Sequence, residues 1–92
     1  MHARGENNDS DVELVRQAGN GRPAAYGELA RRWMPCVMAV CHARVRCQAS
    51  AADLAQETLL RGYRDLDTLK SPEKFGAWLR GIAHRVRGSG ST

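Results

Sequence analysis

Apolar residues recur at steps of three and four positions along almost the whole chain, which is the spacing of amphipathic α-helices. Four such segments predict helices over residues 10–18, 23–46, 51–65 and 72–87. No stretch alternates between apolar and polar residues for long enough to predict a β-strand. The pattern therefore predicts an all-α fold, a compact bundle of about four helices that each bury one apolar stripe.

Local signals refine the ends of these helices. Ser10 and Ser50 each precede an acidic residue by three positions, the spacing of a capping box, and Ser71 is a suitable cap for the fourth helix. Pro35 lies inside the second helix, where it removes a backbone hydrogen bond and predicts a bend. We expect the apolar positions of the third helix to face the core; they are Leu54, Leu60, Tyr63 and Leu66.

The 92 residues suffice for one domain. We expect a disordered N-terminal segment over 1–9, the helical domain over 10–87 and a flexible tail over 88–92. No apolar run approaches the roughly 20 residues that a membrane helix needs, and the first nine residues lack the apolar centre of a secretory signal. These features predict a cytoplasmic location and no membrane partner.

The charge of the chain is positive and unevenly distributed. The net charge is +4, twelve of the fourteen cations are arginine, and the segment from Lys74 to Arg87 contains four cations and no acid. Clustered arginine favours a polyanionic partner, because the guanidinium fork suits phosphates and base edges. A GC-rich genome is an alternative source of the arginine bias.

Three cysteines and a histidine lie close together in sequence, at Cys36, Cys41, His42 and Cys47. On one continuous helix these positions point in different directions, and their spacing is unlike that of structural zinc sites. We expect no metal ion and no cofactor, and we interpret the cysteines as buried structural thiols. A metal-dependent or redox-dependent sensor is the alternative.

The third helix carries a polar face at three- and four-residue spacing, on which Glu57 can pair with Arg61. An ordinary solvated face is the simple interpretation. The fourth helix is basic, and Trp78 lies near its apolar stripe, either as a core residue or as a platform for an unpaired base.

Two segments resemble region 2 of the extracytoplasmic-function sigma factors of bacterial RNA polymerase. The first runs from Asp53 to Arg64 and matches the family pattern D-x-x-Q-E-x-x-L-R-x-[WY]; the second runs from Phe75 to His84 and matches F-x-x-W-L-x-x-I-A. The resemblance extends over about Asp11 to Val86. It implies a helical domain that recognises promoters and leaves catalysis to the polymerase.

The resemblance also implies where the partners bind. In the family, the first motif docks on the clamp helices of the largest subunit of core RNA polymerase, which here assigns Asp53, Gln56, Glu57, Arg61 and Arg64 to that contact. The loop from Asp67 to Lys74 and the following helix would bind the non-template strand of the promoter −10 element as single-stranded DNA. The DNA-binding residues are then Lys70, Ser71, Lys74, Phe75, Trp78, Arg80, His84 and Arg85.

The chain departs from the family pattern at two points. The family usually continues I-A-x-N, whereas this chain has His84 and Arg85 after Ala83, so we expect a contact or cap at the end of the fourth helix to be altered or missing. The second family domain, which reads the −35 element, is absent, so we expect weak DNA binding by this chain alone.

Three classes of function follow. The first is a sigma-type promoter-recognition domain. The second is a protein-interaction module without promoter-specific DNA activity, for example one that binds an anti-sigma factor. The third is the metal or redox sensor. An enzyme is not expected, because no nucleophile, base and orienting group form a recognisable pattern.

Overall fold

The structure is a computed structural model, and it describes the backbone of residues 3–87 and the side chains of residues 10–87. Four α-helices follow one another: α1 (Ala3–Gly19), α2 (Pro23–Arg44), α3 (Gln48–Arg64) and α4 (Phe75–Arg85). Two short 3-10 turns, Leu66–Thr68 and Pro72–Lys74, join α3 to α4. The predicted all-α bundle of four helices is confirmed, and the segments between residues 3 and 87 contain no strand.

The first helix starts earlier than the capping-box pattern predicts. It begins at Ala3, so Ser10 lies inside the helix and a cap at Ser10 is wrong. The physical reason is that no proline interrupts the chain between Ala3 and Ser10, and a single glycine lowers helix stability by only about 1 kcal/mol. Part of the segment 1–9 that was expected to be disordered is thus helical from Ala3 onward. The predicted tail over 88–92 lies outside the described residues.

Neither of the other two predicted serine caps makes a capping hydrogen bond. The third helix starts at Gln48 with Cys47 at the N-cap position, so Ser50 lies within its first turn. Ser71 does occupy an N-cap position before Pro72–Lys74, but its side chain makes no capping hydrogen bond. At both starts the N-cap residue has extended backbone, as is usual at this position, and no side-chain hydrogen bond caps the helix. Pro35 is accommodated within α2, which continues through it.

The second helix is the centre of the bundle and packs against α1, α3 and α4. The largest fully buried side chains come from α2, α3 and α4; they are Leu29, Val37, Cys41, Thr58, Phe75 and Leu79. The one polar residue among them, Thr58, donates its hydroxyl to the Leu54 carbonyl oxygen at 2.7 Å. A buried hydroxyl paired in this way avoids most of the penalty of desolvation.

Close contacts at two glycines bring α3 and α4 against α2. A Cβ on Gly76 would lie 2.2 Å from the Trp33 ring, and a Cβ on Gly62 would lie 2.6 Å from the Tyr26 hydroxyl. That hydroxyl donates to the Leu59 carbonyl oxygen at 2.6 Å, and burial raises its pKa well above the ordinary value for tyrosine. Each glycine therefore sets the distance at which a helix meets an aromatic side chain of α2.

No helix among the described residues combines the length and the hydropathy that crossing a membrane requires.

Candidate functional site

The outer face of α3 carries all five residues that the resemblance assigns to polymerase binding. Asp53, Gln56 and Arg64 are exposed, and Glu57 and Arg61 are half-buried. The buried side of the same helix contains Leu54, Thr58 and Gly62 among others. The helix thus separates its core side from one polar face that is available to a partner.

Ion pairs order part of this face. The Arg61 Nε lies 3.3 Å from the Glu57 carboxylate, so the predicted pair within the helix is present. Arg64 instead donates from Nε and Nη2 to the two Asp65 carboxylate oxygens, at 3.0 and 3.2 Å. These hydrogen bonds hold the pKa of Asp65 below its usual value. The pairs orient the arginines, although exposed ion pairs contribute little to stability.

An open apolar groove of about 600 Å³ runs beside this polar face, between α2 and α3. Its walls are almost entirely apolar; the lining residues are Pro23, Tyr26, Gly27, Met34, Met38, Ala52, Ala55, Gln56, Leu59, Leu60 and Tyr63. The side chains of Leu60 and Tyr63 are 61% and 45% exposed, and with the exposed Met34 they give the groove an apolar surface that is open to a partner. Gln56 belongs to both surfaces and joins the groove to the polar face of α3.

The expectation that Leu60 and Tyr63 face the core is wrong. At 100° per residue both fall next to Gln56 around α3, on the edge of the apolar stripe, rather than beside Leu54. On the α2 side the Tyr26 ring packs against Tyr63, with the ring centroids 5.0 Å apart, and the groove stays open beside Leu60. The position of Leu60 and Tyr63 on either side of the polar Gln56 around the helix is the feature of the sequence that indicates their exposure.

The fourth helix presents a basic surface on the side away from the core. Arg80, His84 and Arg85 are exposed, and the helix contains no acidic residue. Trp78 is half-buried and packs against the edge of the core. The helix therefore presents cations with part of an indole ring beside them, a combination suited to a nucleic-acid strand.

Phe75 does not belong to this surface, and its assignment as a DNA-binding residue is corrected here. Its side chain is only 1% exposed. Its ring centroid lies 6.3 Å from that of Tyr26, 6.4 Å from that of Trp33 and 5.9 Å from that of Trp78. Burial prevents contact with DNA, so Phe75 instead packs beneath Trp78 and supports it.

The loop before α4 contributes the remaining predicted DNA-binding residues. Lys70 and Lys74 are exposed, and Ser71 is half-buried. Lys74 ends the 3-10 turn Pro72–Lys74, which leads directly into α4. The loop and the exposed side of α4 are therefore neighbours in the fold as well as in sequence.

The end of α4 is closed by a residue from another helix. Arg44, the last residue of α2, donates from Nη1 to the Ala83 carbonyl oxygen at 2.8 Å and to the Val86 carbonyl oxygen at 2.5 Å. The last carbonyls of a helix have no partner within it, and a cation there is favourable. The departure from the family pattern after Ala83 thus leaves the end of α4 capped by Arg44.

The cysteines do not converge on one point. Cys41 is buried, Cys36 is half-buried and Cys47 is exposed, so interpreting all three as buried thiols is wrong for Cys47, which lies at the exposed start of α3. Burial raises the pKa of Cys41, whereas the backbone N–H groups of Ser50 and Ala49 lower the pKa of Cys47. Among the residues that the structure describes, no three metal-binding side chains lie together.

Both surfaces fall within one recognised family domain. The family model for Sigma-70 region 2 matches residues 29–87, which is more than half of the chain. The chain belongs to the Sigma-70 region 2 family. The match begins within α2 and runs through α4, so it includes every predicted polymerase-binding and DNA-binding residue. The family predicted from the two sequence motifs is therefore confirmed.

Curated relatives of this Sigma-70 region 2 chain are sigma factors. One is the ECF RNA polymerase sigma factor BldN of Streptomyces coelicolor, 37% identical over 83 residues that cover 85% of this chain and 31% of BldN. Another is the probable RNA polymerase sigma factor RfaY of Xanthomonas campestris pv. campestris, 35% identical over 69 residues that cover 75% of this chain and 17% of RfaY. The chain thus spans less than a third of the length of either relative. No solved structure matches it.

Proposed function

We propose that this chain is the region 2 domain of an extracytoplasmic-function sigma factor, acting in the cytoplasm on core RNA polymerase. The domain binds the clamp helices of the largest polymerase subunit and recognises the −10 element of a promoter as a melted non-template strand. It is not itself an enzyme. The observation that carries the proposal is the presence of two separate surfaces, one on α3 and one on α4, inside a single family domain.

The groove between α2 and α3 supports the contact with the polymerase. A partner helix that lies along an apolar groove buries Leu60 and Tyr63, which are otherwise left in water. The charged residues beside the groove then meet the polar side of the same partner helix and select its register. Amphipathic helices commonly bind proteins in this way, with apolar anchors in the groove and charges at the rim.

The basic side of α4 supports the contact with DNA. Arg80, Arg85 and Lys74 are exposed and can neutralise phosphates, which makes binding strongly dependent on salt. A melted strand also offers base faces for stacking and base edges for hydrogen bonds, and the half-buried Trp78 lies on the same helix as Arg80 and Arg85. The Phe75 ring behind Trp78 restricts where that indole can lie.

The two contacts act in sequence in this mechanism. Docking on the polymerase holds the loop over 67–74 and α4 against the DNA, so the strand binds a surface that is already in place. A preorganised surface binds with a smaller loss of entropy, so we expect the strand to bind more tightly when the domain is docked on the polymerase. Stabilising the unpaired strand then favours the melted promoter over the duplex.

The test is binding of the purified domain to an isolated clamp-helix fragment, measured by fluorescence anisotropy. Leu60→Asp places a charge in the groove and removes the burial of a leucine worth about 1.5–3 kcal/mol, so affinity should fall by roughly tenfold or more. Ala39→Asp is the matched control, because Ala39 is exposed on α2 and does not line the groove. Equal affinities for the two variants would contradict the proposed docking surface.

If the wild-type domain does not bind the clamp-helix fragment, the alternative function as a protein-interaction module is favoured. A folded domain that binds neither the clamp fragment nor single-stranded DNA would be a protein-interaction module, with an anti-sigma factor as its expected partner.

A further inference from the structure

A buried carboxylate in α1 has no role in either surface described above. Asp11 is 5% exposed and lies outside the residues matched by the family model. One carboxylate oxygen accepts a hydrogen bond from Arg32 Nη1 at 3.1 Å, and the other accepts one from Trp33 Nε1 at 2.9 Å. Both of its oxygens are therefore held by neighbouring residues of α2.

Stability alone is a poor explanation for such a group. Burying a carboxylate carries a large desolvation penalty, and a buried ion pair is often no more stabilising than apolar side chains of similar size. What the pair of hydrogen bonds does determine is orientation, because the indole N–H of Trp33 has a single direction in which it can donate. Asp11 thus fixes the plane and position of the Trp33 ring.

The Trp33 ring in turn contacts the start of α4. It lies so close to Gly76 that a Cβ there would be within 2.8 Å of three ring atoms. It also meets the edge of the Phe75 ring, with the centroids 6.4 Å apart. Any rotation of the indole therefore moves, or is blocked by, the first turn of α4.

The first helix also touches the DNA-binding loop directly, since α1 packs against the 3-10 turn Pro72–Lys74. The groove between α2 and α3 does not include Asp11 or Trp33. Through Trp33, Asp11 thus acts first on the start of α4, on the DNA-binding side of the domain, and neither residue lines the groove.

We infer that Asp11 is a positioning residue for promoter DNA: through Trp33 it sets where the turn Pro72–Lys74 and the start of α4 lie. The effect on DNA binding rests on the proposed function. The effect of Asp11 on the position of α4 does not, and it can be measured on the domain alone. The inference assigns to α1 a role in strand recognition, although α1 carries none of the predicted DNA-binding residues.

Two variants separate this role from general support of the fold. Asp11→Asn removes the charge that pairs with Arg32 and weakens the hold on the indole. Trp33→Phe removes the indole N–H donor but keeps an aromatic ring in the core, so it remains informative if Asp11→Asn does not fold. Glu13→Gln is the matched control, because Glu13 is also a carboxylate of α1 but is exposed and bonds Arg16 and Gln17.

The first measurement is the amide spectrum of the full 92-residue chain, labelled with nitrogen-15. In Asp11→Asn and Trp33→Phe the resonances of Phe75 and Gly76 should shift, while those of Ala52 and Leu60 on the α3 wall of the groove stay in place. The control variant should shift neither pair. Unchanged resonances at Phe75 and Gly76 would overturn the inference without any reference to DNA.

The second measurement compares the two binding partners. A single-stranded oligonucleotide is first selected from a random pool by the wild-type chain bound to core polymerase. Both variants should then lose at least about fivefold in affinity for it, the lower end of typical coupling between sites. Their affinity for the clamp-helix fragment should stay within about twofold of wild type, as expected for independent sites.

The outcomes are distinguishable. Equal losses for DNA and for the clamp fragment would mean that Asp11 only stabilises the fold, and would overturn the inference. Unchanged DNA affinity would overturn it as well. Failure of the wild-type chain to select any oligonucleotide would contradict the proposed function. The amide resonances would then still test whether Asp11 sets the position of the start of α4.

Discussion

Replacing Gly76 with alanine should destabilise the domain, although alanine is normally the better residue in a helix. The backbone at Gly76 does not require glycine. Among the described residues, positive φ occurs at Gly21 and not at Gly76. The requirement comes from packing. The added Cβ would lie 2.2, 2.6 and 2.8 Å from three atoms of the Trp33 indole, and real Cβ atoms essentially never come within 3.0 Å of such a group.

The size of the effect follows from two opposing contributions. Alanine is favoured over glycine in a helix by about 1 kcal/mol. Overpacking of a core usually destabilises by about 1–3 kcal/mol, and the upper part of that range applies here because the indole is held by its bond to Asp11 and cannot move away freely. The free energy of unfolding should therefore fall by about 1–2 kcal/mol, and the melting temperature by about 4–8 °C for each kcal/mol.

Urea and thermal unfolding followed by circular dichroism measure this change. Gly27→Ala is the matched control, since Gly27 also lies in a helix but a Cβ there would meet no atom within 4 Å. The control should be stabilised by about 1 kcal/mol. If Gly76→Ala proved as stable as the wild type, or gained stability as the control does, the close contact between α4 and Trp33 would be refuted.

Three further predictions concern groups inside and at the ends of the helices. Burial raises the pKa of the Tyr26 hydroxyl, so above about pH 10 the unfolded chain releases a proton that the folded protein keeps. The free energy of unfolding should therefore fall as the pH rises beyond about 10, and Tyr26→Phe should reduce this slope in urea titrations; an identical slope would exclude Tyr26 as its source. Arg44→Met removes the donor to two carbonyls at the end of α4 and should lower the free energy of unfolding by about 1–2 kcal/mol, whereas Arg46→Met should change it by less than about 0.5 kcal/mol. Equal effects would argue against the cap. Iodoacetamide should alkylate Cys47 before Cys41 in the folded protein, because the first is exposed with a lowered pKa and the second is buried with a raised one. Peptide mass spectrometry measures the order, and the reverse order would contradict these environments.

The helical architecture was predictable because it depends on a repeated signal. Apolar spacing along α2 and α4 identified both helices to within a few residues; Pro23 marked the start of α2, whereas Pro72 begins the 3-10 turn that leads into α4. Single capping residues were less informative. Ser10 and Ser50 have the right neighbours for a capping box, but α1 begins seven residues before Ser10 and α3 begins two residues before Ser50, so neither serine is the N-cap.

The candidate surfaces were only partly predictable for a different reason. The polar residues of α3 follow from the motif, but the groove depends on how α2 and α3 pack together, which the spacing within α3 alone does not give. For Phe75 the sequence allowed two positions, because an aromatic residue at the start of a basic helix can either contact DNA or pack in the core. The structure places it in the core. Asp11 was not identified at all, because its partners lie more than twenty positions away in sequence.

The central claim, that this Sigma-70 region 2 domain joins core RNA polymerase to a melted promoter strand, is tested most directly by a three-component binding experiment. Core polymerase is incubated with labelled non-template single strands from a random pool, with and without the domain, and retained DNA is sequenced. The account predicts that strands sharing a common element are retained only when the domain is present, and that Leu60→Asp and an Arg80→Ala, Arg85→Ala double variant each abolish this enrichment. Retention of the same strands with and without the domain would contradict the account.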